Sequence, residues 1–385
     1  MIDLDGNATT RLLPEVLEAM LPWLSGNHAN ASGSYRMAKA ARGAIENARA
    51  EVARLIGAEV EEMIFTGGGT ESVNAALHSC DVLAGNGHAL VTATEHSAVL
   101  RFVESREREV QLLPVNAGGR VDLGTFSECL EGAGYVSVMA ANNETGVLQD
   151  LGELVKLAHQ KGIPMHTDAI QLVGKVPINV RAVGIDLLSL SAHKFHGPKG
   201  VGALYLRSGL EFSPSQYGGG QEKGRRSGTE NVAGIVGMGE AARLARLALE
   251  NGQAEDVCEM RDAFENFLLN EVTGCVRNGD VGNRLPNTSH ISFEGCDSGG
   301  MLILLDQVGI ACSAGSACMT GKQKPSHVQI AMGIPEARAR TSLRFSFTRL
   351  NGMDEALEAA GLVKKCVEKL RRVQGHGVGP VAIYT

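Results

Sequence analysis

Between residues 63 and 206, short apolar runs recur, each followed by a glycine-rich or polar turn and often a helical stretch. Met63-Ile64-Phe65, Ala89–Ala93, Val110–Val115, Tyr135–Ala140, Pro164–Thr167, Leu187–Ser191 and Val201–Leu206 read as strands. Helices are expected from about Thr70, from His96 and over Leu151–Lys161. This β-α rhythm predicts an α/β fold whose mostly parallel sheet is covered by helices on both faces. Beyond about residue 230 the pattern changes. A long helical region over Asn231–Val272 precedes a strand at Thr288–Phe293, a helix near Leu302, a strand at Arg344–Phe347 and an amphipathic helix at Asp354–Val373. The change predicts a smaller α+β domain. Residues 14–255 are assigned to the large domain, and residues 1–13 with 256–385 to the small one. The 385 residues suit two or three domains of roughly 150 residues each.

Composition removes several classes of function. Acidic residues outnumber basic ones, 43 to 36, and no basic run occurs. Binding to nucleic acid through phosphate neutralisation is therefore not expected. No apolar run is long enough to cross a bilayer. The acidic start, Met1-Ile2-Asp3-Leu4-Asp5, lacks the basic and apolar character of a secretory leader. Eight cysteines are scattered without a C-x-x-C pair. Reduced thiols and a cytoplasmic location are expected.

Five segments carry chemistry. In Ser191-Ala192-His193-Lys194-Phe195-His196, a lysine lies just past a strand among short polar donors. Its structural reading is a solvated turn lysine. Its functional reading is a Schiff-base amine, activated by partial burial. In His166-Thr167-Asp168, the aspartate ends a predicted strand, where α/β sheets place ligands. It either caps the next helix or faces a pyridine nitrogen, as pyridoxal phosphate requires. Gly67-Gly68-Gly69-Thr70, between strand and helix, suits a phosphate at a helix N-terminus. It matches neither the Walker loop nor the dinucleotide fingerprint. His96, in Thr94-Glu95-His96, is either structural or a proton carrier beside such a ring. Cys318, in Gly315-Ser316-Ala317-Cys318, sits among small residues, which predicts a mobile and exposed thiol. Cys312 is expected to pack at a strand end. His193 and His196 lack the further ligands of a zinc site, so no metal is predicted.

Together these segments resemble the cysteine desulfurase family of the NifS/IscS type. The similarity begins at Leu4-Asp5-Gly6-Asn7-Ala8-Thr9-Thr10 and continues to about Arg349. The resemblance implies the aspartate-aminotransferase-type fold, with a mostly parallel seven-stranded sheet in the large domain, and a homodimer. It implies pyridoxal 5'-phosphate held by Lys194. Asp168 would pair with the ring nitrogen. Gln171 and Asn143, the latter in Asn142-Asn143-Glu144-Thr145-Gly146, would serve the ring oxygen and the substrate side. Gly69, Thr70, Ser191 and His193 would hold the phosphate, with Thr229 reaching the phosphate of the partner subunit. His96 would stack on the ring and help move protons. Arg344, in Leu343-Arg344-Phe345-Ser346, would clamp the substrate carboxylate. Cys318 would take sulfur from L-cysteine as a persulfide, release L-alanine and pass the sulfur to an acceptor protein for iron–sulfur cluster assembly or thiolation.

Three departures stand out. His28-Ala29-Asn30-Ala31-Ser32-Gly33-Ser34-Tyr35 stands where the family carries a Gly-Asn-Pro-Ser-Ser segment with a downstream His, Gly6 occupies a position where the family usually carries a larger residue, and Lys322 and Lys324 replace acidic character after Cys318. A selenocysteine lyase, another pyridoxal-phosphate enzyme of this fold, and a catalytically silent sulfur-transfer docking protein are the competing readings.

Overall fold

The computed structural model describes residues 1–314 and 325–374. Cys318 and its neighbours, including Lys322 and Lys324, lie outside the described residues.

Seven strands form the central sheet in the order 63–66, 202–206, 187–191, 165–168, 133–137, 88–92, 110–113. The five strands from Leu187–Ser191 to Val110–Leu113 run parallel. Gly202–Leu206 lies antiparallel to both its neighbours, so Met63–Thr66 again points the same way as Leu187–Ser191. As a result, the C-terminal ends of the other six strands share one edge of the sheet, where ligands bind in such folds.

Alternate residues of these strands enter two different cores. Met63, Phe65, Leu90, Val136, Leu188 and Tyr205 pack beneath helices Arg36–Ile56, Leu151–Gln160 and Val232–Glu250. Ile64, Ala89, Val91, Tyr135, Leu187 and Leu204 pack beneath Gly69–Leu83 and Ser97–Glu104. Burial on both faces explains why these strands read as unbroken apolar runs.

The expected long helical region is two helices, Val232–Glu250 and Gln253–Glu271, separated at Asn251-Gly252. The first packs in the large core. The second places Val257, Met260, Phe264 and Leu268 in a separate core with Ile291, Phe293, Phe345 and Val363. That second core also holds Ile2 and Leu4, because Ile2–Asp3 pairs with Ile310–Ala311. Thr288–Phe293 is the middle strand of a three-stranded antiparallel sheet, beside Ser342–Ser346 and Cys275–Arg277. Helices Pro14–Ser25 and Arg36–Ile56, which no pattern in the sequence foretold, pack against Val232–Glu250 in the first core. No helix among the described residues is long and apolar enough to cross a membrane.

Candidate active site

The site lies along the shared edge of the sheet, and strand ends deliver most of it. Asp168 is the last residue of Met165–Asp168, and Lys194 follows Leu187–Ser191 by three residues. His96 follows His88–Thr92 as the N-cap of Ser97–Glu104, and Gly67-Gly68-Gly69 follows Met63–Thr66. Asn143 lies in the turn after Ala133–Ser137.

The Lys194 Nζ donates to the carbonyls of Asn7 (2.6 Å) and Ala8 (2.8 Å). Burial, aided by Arg344, pushes its pKa down to about 8 against the opposing pull of Asp168 and Asp5. Asp168 is 3% exposed and accepts the Ile170 amide at 2.9 Å. Burial pushes its carboxyl up to about 6, although Lys194 favours the charged form. An amine that is partly neutral near pH 8 and a carboxylate held against it thus share one neighbourhood.

The glycine loop, Thr70, Ser191, His193, Lys199 and Gly200 line a cleft of about 420 Å³. Gly68 has φ 145° and ψ −179°, a conformation reserved for glycine, and offers helix Gly69–Leu83 no side-chain cap. The first turn of that helix therefore presents its amide end to the cleft, where an anion is favoured. Gly202 makes this loop possible. A Cβ there would lie 2.7 Å from the Gly68 carbonyl carbon and 2.7 Å from the Leu190 oxygen. His193 is held by Thr9 Oγ1 at 3.1 Å, and burial followed by the nearby lysines pushes its pKa down to about 4. It is a neutral hydrogen-bonding group at physiological pH.

The ring of His96 is solvent-accessible, yet desolvation by the surrounding walls, then Lys194 and His327, lowers its pKa. Its Nδ1 accepts the Ala98 amide at 3.1 Å. In the neutral ring the proton therefore sits on Nε2, which acts as a donor. The Nδ1 lone pair is thus occupied by the helix end, and Nε2 is the nitrogen left to face the site.

Arg344 donates through Nη1 to the Asn143 carbonyl (2.9 Å) and through Nη2 to Asp5 Oδ1 (2.7 Å). Its Nε is buried without a partner among the described residues. An unsatisfied buried guanidinium N–H is costly, and a carboxylate arriving at that edge would satisfy it. Gln171 donates its Nε2 to the Asn7 carbonyl at 2.8 Å. Thr229 is exposed and lines a neighbouring cleft that shares Gly67 and Gly200 with the glycine loop. It does not line the same cleft as Ser191 and His193. Cys312 packs against the small-domain core, and burial pushes its thiol up to about 12, an inert environment.

Several contributors escape sequence reasoning. Glu71 accepts the Gly67 amide (2.7 Å) and Arg226 Nε (2.7 Å), tying the glycine loop to the segment before Thr229. Glu95, fully buried, accepts Thr92 Oγ1 (2.8 Å) and the Met139 amide (2.6 Å), which fixes the backbone before His96. Asn7 donates to Thr288 Oγ1 (2.9 Å), and its backbone carbonyl receives Lys194 and Gln171. Asn7 and Glu95 lie inside segments singled out above and Glu71 just after one, but nothing in their spacing points to these contacts. A Cβ on Gly6 would lie 2.6 Å from Thr348 Cγ2, so this glycine lets the N-terminal segment lie close against residues 346–348.

The family model described as Aminotransferase class-V matches residues 2–357. A cysteine desulfurase of Enterobacter agglomerans is 44% identical over 379 residues, covering 97% of this chain and 94% of that protein. A NifS-like protein from Rickettsia africae superposes with a TM-score of 0.87 at 30% identity, over 96% of this chain and 99% of its own. SspA, solved in complex with cysteine, superposes with a TM-score of 0.79 at 34% identity, over 90% of this chain and 99% of its own. Similarity in sequence and fold that spans nearly the whole of each chain leaves one assignment: the chain belongs to the cysteine desulfurase family, within the class-V aminotransferases.

Proposed function

We propose that this chain is an L-cysteine desulfurase that binds pyridoxal 5'-phosphate at the sheet edge and collects sulfur on Cys318. The observation that carries the reading is Lys194, an amine three residues past a strand end that donates to the Asn7 and Ala8 carbonyls and whose pKa burial and Arg344 lower against Asp168 and Asp5. The residues suit the cofactor. The Gly67-Gly68-Gly69 turn and the uncapped helix end fit a phosphate, and Asp168 is a buried acid able to face a protonated ring nitrogen. Bound there, pyridoxal phosphate supplies an aldehyde for amines and a ring that withdraws electrons from the substrate α-carbon.

The chain's own groups do the rest. Lys194 would hold the cofactor through its amine and would move protons near the substrate α-carbon. Arg344 binds the substrate carboxylate through its unpartnered Nε edge. His96 donates from Nε2. Asn143 stands beside the substrate because its own backbone is hydrogen-bonded to Arg344. Thr229 belongs to the phosphate site of a partner subunit in a homodimer.

In the sequence, Cys318 falls between Ser313 and Ser326. Ser313 exchanges backbone hydrogen bonds with Arg344, and Ser326 donates to Glu144, the residue after Asn143. Both ends of that segment are thus fixed beside the proposed substrate groups. The Cys318 thiolate attacks the substrate sulfur, the substrate carbon–sulfur bond breaks with its electron pair going to carbon, and a proton taken up there gives L-alanine beside a Cys318 persulfide, so that cysteine plus thiol equals alanine plus persulfide. An acceptor protein, such as an iron–sulfur scaffold or a thiolation carrier, takes the sulfur. The seven described cysteines are free thiols, which suits a reducing, cytoplasmic setting.

The test is an assay of alanine and sulfide from L-cysteine with the cofactor-loaded protein. Cys318→Ser is expected to lose turnover by on the order of 10³-fold while still binding cysteine. Normal turnover by that variant would overturn the persulfide role. Alanine from selenocysteine but not from cysteine would overturn the substrate.

A further inference from the structure

Lys175 has no part in the chemistry above, yet it sits behind Lys194 in a closed set of hydrogen bonds. Its Nζ donates to Asn7 Oδ1 (2.8 Å) and to Gln171 Oε1 (2.6 Å). Asn7 and Gln171 are 1% and 5% exposed. The Asn7 backbone carbonyl in turn receives Gln171 Nε2 (2.8 Å) and Lys194 Nζ (2.6 Å).

The chemistry of the partners fixes every amide in this set. A backbone carbonyl only accepts, so the nitrogen of Gln171 must face Asn7 O and its oxygen must face away. Asn7 Nδ2 likewise points at the Asn143 carbonyl (3.3 Å), which leaves Asn7 Oδ1 for other donors. Both amide oxygens then require donors from the protein interior. Asn287 Nδ2 serves Asn7 Oδ1 at 3.0 Å, but Lys175 is the donor that reaches both oxygens. An amine has at least two N–H bonds to give in either protonation state, so the match does not depend on its charge.

We propose that Lys175 is a positioning residue of the cofactor site: by holding Gln171 Oε1 and Asn7 Oδ1, it keeps the N–H edge of Gln171 on the Lys194 side and steadies the carbonyl to which Lys194 donates. The inference deepens the proposed cofactor reading and rests on it. Lys175 lines a small cavity of about 60 Å³ with Thr10, Ala245 and Phe347, while its Nζ bonds the two amides. Desolvation, followed by Lys194 and Arg344, lowers its pKa well below the ordinary lysine value, as expected of an amine held for its donors. Without Lys175, two buried amide oxygens would lose a donor. Gln171 Oε1 would then be drawn toward another donor, and the Nε2 edge would leave its place against Asn7 O.

The test is a double-mutant cycle on cofactor affinity, measured by equilibrium dialysis of the full-length cofactor-stripped protein against pyridoxal 5'-phosphate. Lys175→Met is expected to weaken binding by about tenfold and Gln171→Ala by a similar factor, and the double variant should be no weaker than about the worse single, because both remove one positioned donor. A purely structural role would lower the melting temperature of Lys175→Met without moving the affinity, or would make the two losses multiply; either result overturns the proposal. If Lys175→Met does not fold, Lys175→Gln keeps a donor on a shorter stem and is read in the same cycle. A wild-type protein that fails to bind would defeat the cofactor reading itself. Wild-type binding with unchanged binding by Lys175→Met would defeat this inference alone.

Discussion

At the scale of single residues, the site consists of buried ionisable groups held at unusual protonation. Glu144 is the clearest case outside the reacting groups. Burial pushes its carboxyl up to about 7, against the favourable pull of Ser326 and Arg344. A folded-state pKa above the unfolded one means that the native protein binds the extra proton. The stabilisation is present below the unfolded value of 4.5 and is lost as pH rises through about 7. Over that window the wild type is expected to lose up to about 3 kcal/mol more stability than Glu144→Gln, measured by urea denaturation across pH. Arg344 gives a second expectation. Arg344→Lys keeps the charge but loses the planar fork, so KM for cysteine should rise by about 10- to 100-fold with a smaller change in kcat. A matched fall in kcat with unchanged KM would show that the guanidinium does not hold the substrate carboxylate.

Among elements, the antiparallel strand Gly202–Leu206 is the unexpected participant. It contributes no reacting group, yet its first residue lies against the Gly68 backbone. Both nearest neighbours of a Cβ at Gly202 are backbone atoms, which cannot swing aside. Gly202→Ala should therefore displace the glycine loop and weaken cofactor binding by about tenfold, at a stability cost of about 1–3 kcal/mol. Cofactor titration and thermal unfolding would check the two parts separately.

The seven large-domain strands were readable because burial on both faces makes them plain apolar runs. Asp168, Lys194, His96 and the glycine loop were readable because each ends a strand or starts a helix. Gly202 was not, since a glycine opening a strand looks the same whether or not another backbone crosses it. Helix Arg36–Ile56 was obscured by its many alanines, whose small side chains blur the apolar stripe. The pair of two-residue strands, Ile2–Asp3 and Ile310–Ala311, is too short for any periodicity to register.

On the scale of the whole molecule, Asn7 joins the two cores. It bonds Lys175 and the Asn143 carbonyl on one side and Asn287, Thr288 and Ser346 on the other. Asn7→Ala would leave several buried groups without partners at once. A loss of about 3 kcal/mol is expected, with the large and small cores unfolding less cooperatively. Separate transitions in calorimetry would show the uncoupling, whereas a single transition at the wild-type temperature would show that Asn7 is dispensable. This long-range dependence left little trace in the sequence, because a hub asparagine differs from a turn asparagine only in what surrounds it after folding.

The pairing of Ile2–Asp3 with Ile310–Ala311 closes a loop of about three hundred residues. Closing so long a loop costs chain entropy before any contact rewards it, so this joint is a slow one to form. The stretch that gives Lys194 its two carbonyls lies only a few residues beyond it. On dilution from denaturant, the large sheet should therefore return sooner than the full set of partners around that amine.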